Sequence, residues 1–291
     1  MKIFIILFLL FLTAIILLIN CIKKKDTFEN YKYKLVVVAI FKNESHIIKE
    51  WLEHYIKQGV EHFYMIDNGS TDNWKSEITG YPITIISDEK KYSQGSLYDK
   101  YFLKKVKNES KWVMVLDLDE FLYARKNFKN IPDYLNTLEN DIGIINVKWK
   151  MFGSNGYIHQ PNNVVNSFIK RKKYGTNDKD LNDKNDQPLL DLNGKCIIRT
   201  KFIKSLKEIH NGSTKNCIKI TYPYNLNEES LNESPLHLNH YAIQSYNWFM
   251  NVKKKRGDVT NKNRDDNRNV EYFRKYDFNN ILDTELSDLY N

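Results

Sequence analysis

The stretch "KLVVVAIFKNESHIIKEWLEHYIKQGVEHFYMID", residues 34–67, decides the fold class. It opens with a continuous apolar and β-branched run (34–41), which is typical of a strand buried on both faces. In residues 43–59 apolar side chains recur at helical spacing, and Gly59 supplies the stop. A second strand (60–67) follows and ends in an acid. Strand, helix, strand in this order predicts a βαβ unit, so we expect a parallel sheet with a right-handed crossover.

The same alternation continues along the chain. "ITIIS" (83–87) predicts a short strand, "GSLYDKYFLKKVK" (95–107) an amphipathic helix, and "KWVMVLDLD" (111–119) a central strand. "GIINVKWKMF" (143–152) is a further strand, and residues 236–257 predict a strand that leads into a helix. The predicted fold class is therefore α/β, with a Rossmann-like, mostly parallel central sheet and flanking helices.

Polar side chains stand where three of the predicted strands end. They belong to the loops at Asn43, Asp67 and Asp117. In an open α/β sheet, ligands bind beyond the carboxyl ends of the strands. We therefore expect these distant segments to converge on one crevice.

The amino-terminal segment differs in kind. Residues 3–19 carry no charge, and as a helix the run through residue 22 would span roughly 30 Å, which matches a bilayer core. A cleaved signal peptide is the alternative, but the run is longer than a typical apolar signal region and no small-x-small cleavage site follows. The predicted organisation is a transmembrane signal-anchor (1–22), a linker (23–33), a catalytic domain (34–257) and a charged carboxyl-terminal tail (258–291).

A single-pass membrane protein follows from this organisation. Lys23, Lys24 and Lys25 outweigh Lys2, which weakly favours a cytoplasmic catalytic side, whereas an enzyme of the secretory pathway needs the opposite arrangement. The sequence leaves the side of the membrane open.

Composition sets the remaining limits. The chain has 291 residues, of which 42% are hydrophobic and 13% aromatic, so it can build a sizeable core. The net charge of +8 is spread along the chain without a nucleic-acid motif, so no nucleic-acid partner is predicted. Of three cysteines, Cys21 lies at the predicted membrane segment. The sequence therefore allows, but does not require, a disulfide between Cys196 and Cys217.

The most informative motif is "VMVLDLDEFLY" (113–123). On an extended segment, Asp117 and Asp119 share one face while Leu118 points into the core. Two carboxylates on one face suit a hard cation such as Mn²⁺ or Mg²⁺, which would neutralise a diphosphate. Acids at strand ends are often only solvated, but the position at a third strand-to-helix junction favours the metal interpretation.

Other polar motifs have two interpretations each. "DNGSTD" (67–72) is either an ordinary Asn-Gly turn or a site where Asp67 accepts hydrogen bonds from a base or ribose. His210 and His240 are either structural or, for His240 after a predicted strand, a third metal ligand. The cationic run 253–256 either complements a helix dipole or holds a diphosphate.

Four blocks of the chain together resemble a known family. They are "VVVAIFKNESHIIKEWLEHYIKQGVEHFYMIDNGSTD", "WVMVLDLDEFLY", "WKMFGSNGY" and "NHYAIQSYNWFMNVKKKRG". In matching order, over about 34–257, they are similar to glycosyltransferase family 92 and its family 2 relatives, which have the GT-A fold. The resemblance implies a metal-dependent hexosyltransferase that uses a nucleotide-diphospho-sugar, with a UDP-sugar favoured, and a glycan or glycoconjugate hydroxyl as acceptor.

The resemblance also implies roles for individual residues. Asp117 and Asp119 would hold Mn²⁺ (or Mg²⁺) as a DXD motif, with His240 as a further ligand. Arg256 is preferred as the diphosphate contact, since the choice among the lysines at 253–255 is open. The nucleotide-sugar contacts are assigned to Asn43, Glu44, Asp67, Asn68, Asp72, Gln94, Asp117 and Arg256, and the acceptor or sugar contacts to Trp149, Phe152, Gly153 and Ser154.

The predicted reaction is an inverting transfer. Metal and cations stabilise charge on the departing diphosphate while a carboxylate base deprotonates the attacking hydroxyl. The sequence leaves two candidates for this base, Glu120 and Asp191.

Two other functions remain as alternatives. In a haloacid-dehalogenase-like phosphatase, Asp117 would be a nucleophile and Asp119 an acid/base. Against this, Phe121 stands where a hydroxyl residue is usual, and the pair Asp265 and Asp266 follows no strand. A catalytically inactive, membrane-anchored binding protein on the same fold is the second alternative.

Overall fold

The computed structural model describes residues 31–174, 193–257 and 268–290. The predicted anchor (1–22) and the candidate base Asp191 lie outside these ranges, so both stay predictions. Within the described ranges, none of the helices combines the length and apolar character needed to cross a membrane.

The chain alternates strands and helices as predicted in its first half and becomes strand-rich in its second. The strands are β1 (Tyr33–Phe41), β2 (His62–Asp67), β3 (Ile83–Ser87), β4 (Ser110–Val115), β5 (Glu120–Ala124), β6 (Ile142–Met151), β7 (Lys170–Arg171), β8 (Gly194–Arg199), β9 (Ile203–Ser205), β10 (Ser213–Thr214), β11 (Ile218–Tyr222), β12 (Leu236–His240) and β13 (Ile281–Leu282). The α-helices are α1 (Ser45–Lys57), α2 (Trp74–Glu77), α3 (Gln94–Tyr101), α4 (Leu103–Glu109), α5 (Ile131–Leu135), α6 (Val164–Ser167), α7 (Glu228–Glu233), α8 (Tyr246–Trp248), α9 (Lys254–Arg256), α10 (Val270–Tyr276) and α11 (Glu285–Asp288), with a π-helical turn (Phe249–Lys253) joining α8 to α9 and a 3₁₀ turn (Thr200–Phe202) after β8.

One mixed sheet organises the described chain. Its order is β3-β2-β1-β4-β8-β6-β12-β5, with β11 also paired to β6. The β3-β2-β1-β4 half is parallel, as the βαβ pattern predicts. In the other half β8 runs antiparallel to both β4 and β6, and β5 runs antiparallel to β12. In this half β6 also pairs in parallel with β11 and β12, so the fold is α/β with a mixed sheet.

Antiparallel pairing brings the beginning of one strand beside the end of another. Lys195, near the start of β8, therefore lies beside the end of β4, because Met114 pairs with Ile197. His240, the last residue of β12, pairs with Glu120, the first residue of β5. Strand direction thus adds a lysine and a histidine to the edge where β1, β2 and β4 end.

Two apolar layers cover the faces of the sheet. Alternate residues of β1 pack with α1 on one face, where Trp51 and Tyr55 are fully buried. The residues between them pack with α3 and α4 on the other face, around Tyr98 and Phe102. Because β1 is covered on both sides, it has the continuous apolar sequence from which it was predicted.

The carboxyl-terminal segment differs from the predicted charged tail. In its described part, Phe273, Tyr276 and Leu286 are buried in the main core cluster. Asp283 forms a 2.8 Å ion pair with Lys150, which is fully buried. The compact unit that begins at residue 33 therefore includes this segment. Three apolar side chains are enough to anchor a segment whose composition is mostly polar.

A buried histidine joins the same segment to α1. His54 is 2% exposed; its Nε2–H donates to the Leu122 carbonyl (2.9 Å), and its Nδ1 accepts from the Tyr290 hydroxyl (2.6 Å). Burial is the main reason that its pKa falls from 6.5 to about 3. In the neutral ring both nitrogens are satisfied, Nε2–H as a donor and Nδ1 as an acceptor.

We expect this histidine to make unfolding pH-dependent. As the pH is lowered below 6.5, this histidine becomes protonated in the unfolded chain but stays neutral in the folded chain until about pH 3. The free energy of unfolding therefore decreases as the pH is lowered from about 6.5 to about 3. For one such group the slope reaches about 1.4 kcal/mol per pH unit. Denaturant unfolding at several pH values should show a flatter dependence for His54→Gln, whereas replacement of the exposed His159 should leave the slope unchanged. An unchanged slope in His54→Gln would contradict the assignment.

Candidate active site

Two of the predicted crevice loops are tied together directly. The Asn43 amide donates to the Ser70 hydroxyl (3.0 Å), and the Asn43 side-chain oxygen accepts from the Thr71 amide (2.7 Å). The Ser45 amide donates to an Asp72 carboxylate oxygen (2.7 Å). Asn43 has a φ of 53°, in the left-handed region that asparagine tolerates better than most residues. The predicted convergence of the loops after β1 and β2 is thus present.

Asp67 and Asn68 shape the second loop from inside. Asp67 accepts from the Ser70 amide (2.8 Å). The Asn68 side chain donates to the carbonyls of Asp88 and Lys90, at 2.7 and 3.2 Å. Both side chains are buried, so these two residues fix the loop whether or not a nucleotide is bound.

The DXD segment is a tight turn between β4 and β5. The Glu120 amide donates to the Asp117 carbonyl (3.1 Å), so the prediction of an extended segment is wrong at this point. Leu118 is fully buried, as predicted. The Trp51 indole of α1 donates to the carbonyls of Asp117 and Glu120, at 3.2 and 3.0 Å. The turn therefore depends on a side chain that lies far away in the sequence.

Asp117 is held by two protein donors. The Lys195 ammonium contacts its Oδ2 at 2.8 Å, and the Gln94 side chain donates to its Oδ1 (3.1 Å). The Asp117 side chain is 36% exposed, while that of Lys195 is fully buried. Burial raises the pKa of Asp117, but Lys195 outweighs this and holds it below its ordinary value. Asp117 is thus a charged carboxylate with a fixed orientation.

Asp119 lies deeper and has two basic neighbours. The Lys253 ammonium contacts its Oδ2 at 2.6 Å and also donates to the Ala242 carbonyl (2.5 Å). His240 Nε2 lies 3.5 Å from the other carboxylate oxygen of Asp119. Burial raises the pKa of Asp119, but Lys253 and His240 together hold it well below its usual range.

The predicted metal ligands are assembled only in part. Among the residues described, no three histidine, cysteine or acidic side chains come together as a metal cage. The 3.5 Å between Asp119 Oδ1 and His240 Nε2 nevertheless suits two ligands of one ion, which at bond lengths of about 2.1 Å stand roughly 3.0–3.5 Å apart. Asp119 and His240 therefore fit an ion whose remaining ligands come from phosphate and water.

Glu120, a candidate base, is sealed inside the protein. It is fully buried; the Asp117 amide donates to its Oε2 and the Trp149 indole to its Oε1, both at 2.8 Å. Burial raises its pKa well above the usual value. An acceptor hydroxyl cannot reach it in this arrangement, so Glu120 supports the turn instead of serving as the base.

The residues of the cationic run 253–256 differ in burial and in their partners. Lys253 is buried against Asp119, whereas Lys254 and Lys255 are exposed. Arg256 pairs with Glu44 (2.9 Å) and donates to the Lys42 carbonyl (2.9 Å). Of the three lysines only Lys253 faces the carboxylates, and a contact of any of them with a diphosphate stays a prediction.

The predicted acceptor loop is held by the carboxyl-terminal segment. Phe152 is buried, and a side chain at Gly153 would collide with the backbone of Phe278. The Ser154 amide donates to Asp277 (2.6 Å). These contacts give the loop a structural role, and its contact with an acceptor stays a prediction.

Sequence reasoning missed Lys195. The signal was a lysine directly before the apolar run Cys196–Ile198, since a lysine within a buried strand needs a charged partner. His210 lies in the same region: its ring Nδ1 donates to the Gly194 carbonyl (2.8 Å), its ring meets Trp149 edge-on, and burial lowers its pKa to about 4. Trp149 also packs on His240, with ring centres 4.4 Å apart.

Cys196 and Cys217 are free, so they form no disulfide.

Carboxylates, a histidine and buried cations thus gather at the carboxyl edge of an α/β sheet, where ligands of such folds bind. Comparison with known proteins adds the family. The model of glycosyltransferase family 92 matches residues 103–285. The chain belongs to this family, as the four sequence blocks predicted.

Individual relatives are more distant. A glycosyltransferase family 92 protein of Arabidopsis thaliana is 24% identical over 246 residues, which cover 79% of this chain and 39% of that protein. Glucosyl-3-phosphoglycerate synthase from Mycobacterium tuberculosis, solved with Mn²⁺, UDP and glucosyl-3-phosphoglycerate, is 15% identical over 40% of this chain and 44% of its own, with a TM-score of 0.26. A second mycobacterial protein is 13% identical over 42% of this chain and 43% of its own, with a TM-score of 0.28.

Proposed function

We propose that this chain transfers a sugar from a nucleotide-diphospho-sugar, with a UDP-sugar as the favoured donor, to a hydroxyl of a glycan or glycoconjugate. The chain belongs to glycosyltransferase family 92, and one structural observation supports the proposal. Asp117, Asp119 and His240 meet the cations Lys195 and Lys253 at the edge where the parallel strands end. A diphosphate with a divalent cation is the ligand whose charges such a site complements.

The cations of the chain have distinct tasks in this reaction. Lys253 and Arg256 lie on the helix that follows β12, and their present partners, Asp119 and Glu44, border the crevice. In a water-poor site they stabilise negative charge on the departing diphosphate. A Mn²⁺ or Mg²⁺ ion would be held by Asp119 and His240 and would supply further positive charge there when bound.

The nucleotide is assigned to the two joined loops. Asn43 and Asp67 stand at the ends of neighbouring parallel strands, and Asp72 retains one buried carboxylate oxygen without a hydrogen-bond partner. A buried acceptor of this kind suits a ribose hydroxyl or a base N–H that reaches it directly or through water.

The catalytic base is assigned to Asp191. Of the two candidates, Glu120 has both oxygens engaged inside the protein. Asp191 precedes Lys195 by four residues in the sequence. An inverting transfer needs a carboxylate on the acceptor side, and Asp191 is the candidate that remains. The 1–22 anchor would hold this enzyme at a membrane.

A donor screen tests the proposal. We expect the full chain in detergent to bind UDP-sugars with Mn²⁺ by calorimetry and to transfer or hydrolyse the sugar only when the metal is present. Addition of a chelator should abolish turnover. Lack of response to every nucleotide sugar, together with turnover of an aryl phosphate, would point to the phosphatase alternative. Binding without turnover would point to the inactive binding protein.

A further inference from the structure

The carboxylates of the candidate site are already neutralised by the protein. Asp117 and Asp119 each form an ion pair with a lysine, Lys195 at 2.8 Å and Lys253 at 2.6 Å. Two negative charges therefore meet two positive charges before any ligand arrives. A site that binds a free divalent cation tightly has, in contrast, an excess of negative charge.

Charge compensation of this kind changes how ligands bind. A divalent cation on its own gains little Coulomb energy, because the ammonium groups repel it almost as strongly as the carboxylates attract it. A diphosphate brings the missing negative charge, which is attracted by the charges of Lys195, Lys253 and Arg256. Each ligand therefore favours binding of the other, and by linkage the effect is reciprocal.

Lys195 is better fixed than the other cations. Its side chain is fully buried on a β-strand, and its ammonium lies 2.8 Å from Asp117 and 3.5 Å from Glu120. Moving it away from Asp117 would leave its ammonium buried without the carboxylate it pairs with. Its charge therefore stays beside the carboxylate pair whichever ligand is bound.

We propose that Lys195 is a positioning residue that orients Asp117 and makes divalent-cation binding depend on the diphosphate of the donor. The inference rests on the proposed function and adds a binding order to it. Metal and nucleotide diphosphate enter the site as a pair, and a free metal ion is held weakly.

Calorimetric titration of the full chain with Mn²⁺, in the absence and presence of UDP, measures this dependence. In the native protein we expect UDP to tighten Mn²⁺ binding by about 30-fold, within the usual range of coupling between sites. Lys195→Met should bind Mn²⁺ alone about tenfold more tightly, because one repelling charge is gone. The gain from UDP should shrink accordingly. A purely structural lysine would produce the opposite result, weaker binding of both ligands.

Two variants serve as controls. Lys195→Arg keeps the charge and should retain the native dependence on UDP. Lys148→Met removes a charge from the neighbouring strand, where Lys148 pairs in register with Gly194 and so points away from the face of Lys195. It should leave Mn²⁺ binding unchanged, which separates the ion pair from the general loss of one positive charge.

Native Mn²⁺ affinity that is equal with and without UDP overturns the inference, as does a Lys195→Met protein that binds Mn²⁺ no more tightly. If Lys195→Met does not fold, as judged by circular dichroism, the native protein and Lys195→Arg decide the matter. Failure of UDP and every UDP-sugar to bind counts against the proposed function itself. UDP binding that is independent of Mn²⁺ counts against this inference alone.

Discussion

Replacing Asp119 with asparagine is expected to lower sugar transfer by roughly 100- to 1000-fold, the loss typical of one strong electrostatic contributor to a transition state. Asp119 is 5% exposed and holds both Lys253 and His240. Asparagine keeps the shape but removes the charge that attracts a metal ion and orients the lysine. Rates with a UDP-sugar and Mn²⁺, compared with those of the exposed variant Asp141→Asn, measure the loss.

The neighbouring aspartate provides a contrast. Both carboxylate oxygens of Asp117 already accept from Lys195 and Gln94. We therefore expect Asp117→Asn to raise KM for the donor more than it weakens Mn²⁺ binding in the presence of UDP. Full activity in Asp119→Asn, or equal metal affinity in Asp119→Asn and the native protein, would contradict the assigned roles.

Replacing Asp283 with alanine is expected to lower the free energy of unfolding by about 3–5 kcal/mol, the usual cost of removing one partner of a buried ion pair. Asp283 contacts the Lys150 ammonium at 2.8 Å and Arg171 Nε at 2.5 Å. Lys150 is fully buried, so it would keep a charge without its nearest compensating carboxylate. Urea unfolding followed by tryptophan fluorescence measures the change.

A double variant is the matched test of this ion pair. Lys150→Met combined with Asp283→Leu removes both charges and should recover part of the lost stability, because apolar pairs of similar volume often replace buried ion pairs at little cost. Arg171 retains Glu228 at 2.8 Å in that variant. A loss below about 1 kcal/mol for Asp283→Ala, as is usual for exposed pairs, would show that the carboxyl-terminal segment is not anchored here.

Sequence periodicity predicted the parallel half of the sheet closely. β3 has the predicted bounds 83–87, and the helix within 43–59 is present as α1. The predicted helix at 95–107 is instead two helices that meet at Phe102, which is fully buried. These segments could be predicted because burial on both faces of a strand, or on one face of a helix, produces a recognisable pattern of apolar residues in the sequence.

The geometry of the DXD turn could not be read in this way. Its apolar lead-in predicted an extended segment, but hydrogen bonds from Trp51 hold it as a turn. The carboxyl-terminal segment was missed for a related reason, since a few spaced apolar residues anchor it and the rest of its composition is polar.

The sequence by itself determined the βαβ order, the acids at the strand ends and, through four blocks, the family. Only the tertiary structure decided that Lys195 faces Asp117, that Lys253 is the lysine at Asp119, and that Glu120 is enclosed. Local periodicity records whether a side chain is buried, but it does not record which distant segment covers it. A buried charge depends on that partner, and the antiparallel insertion of β8 beside β4 supplies it.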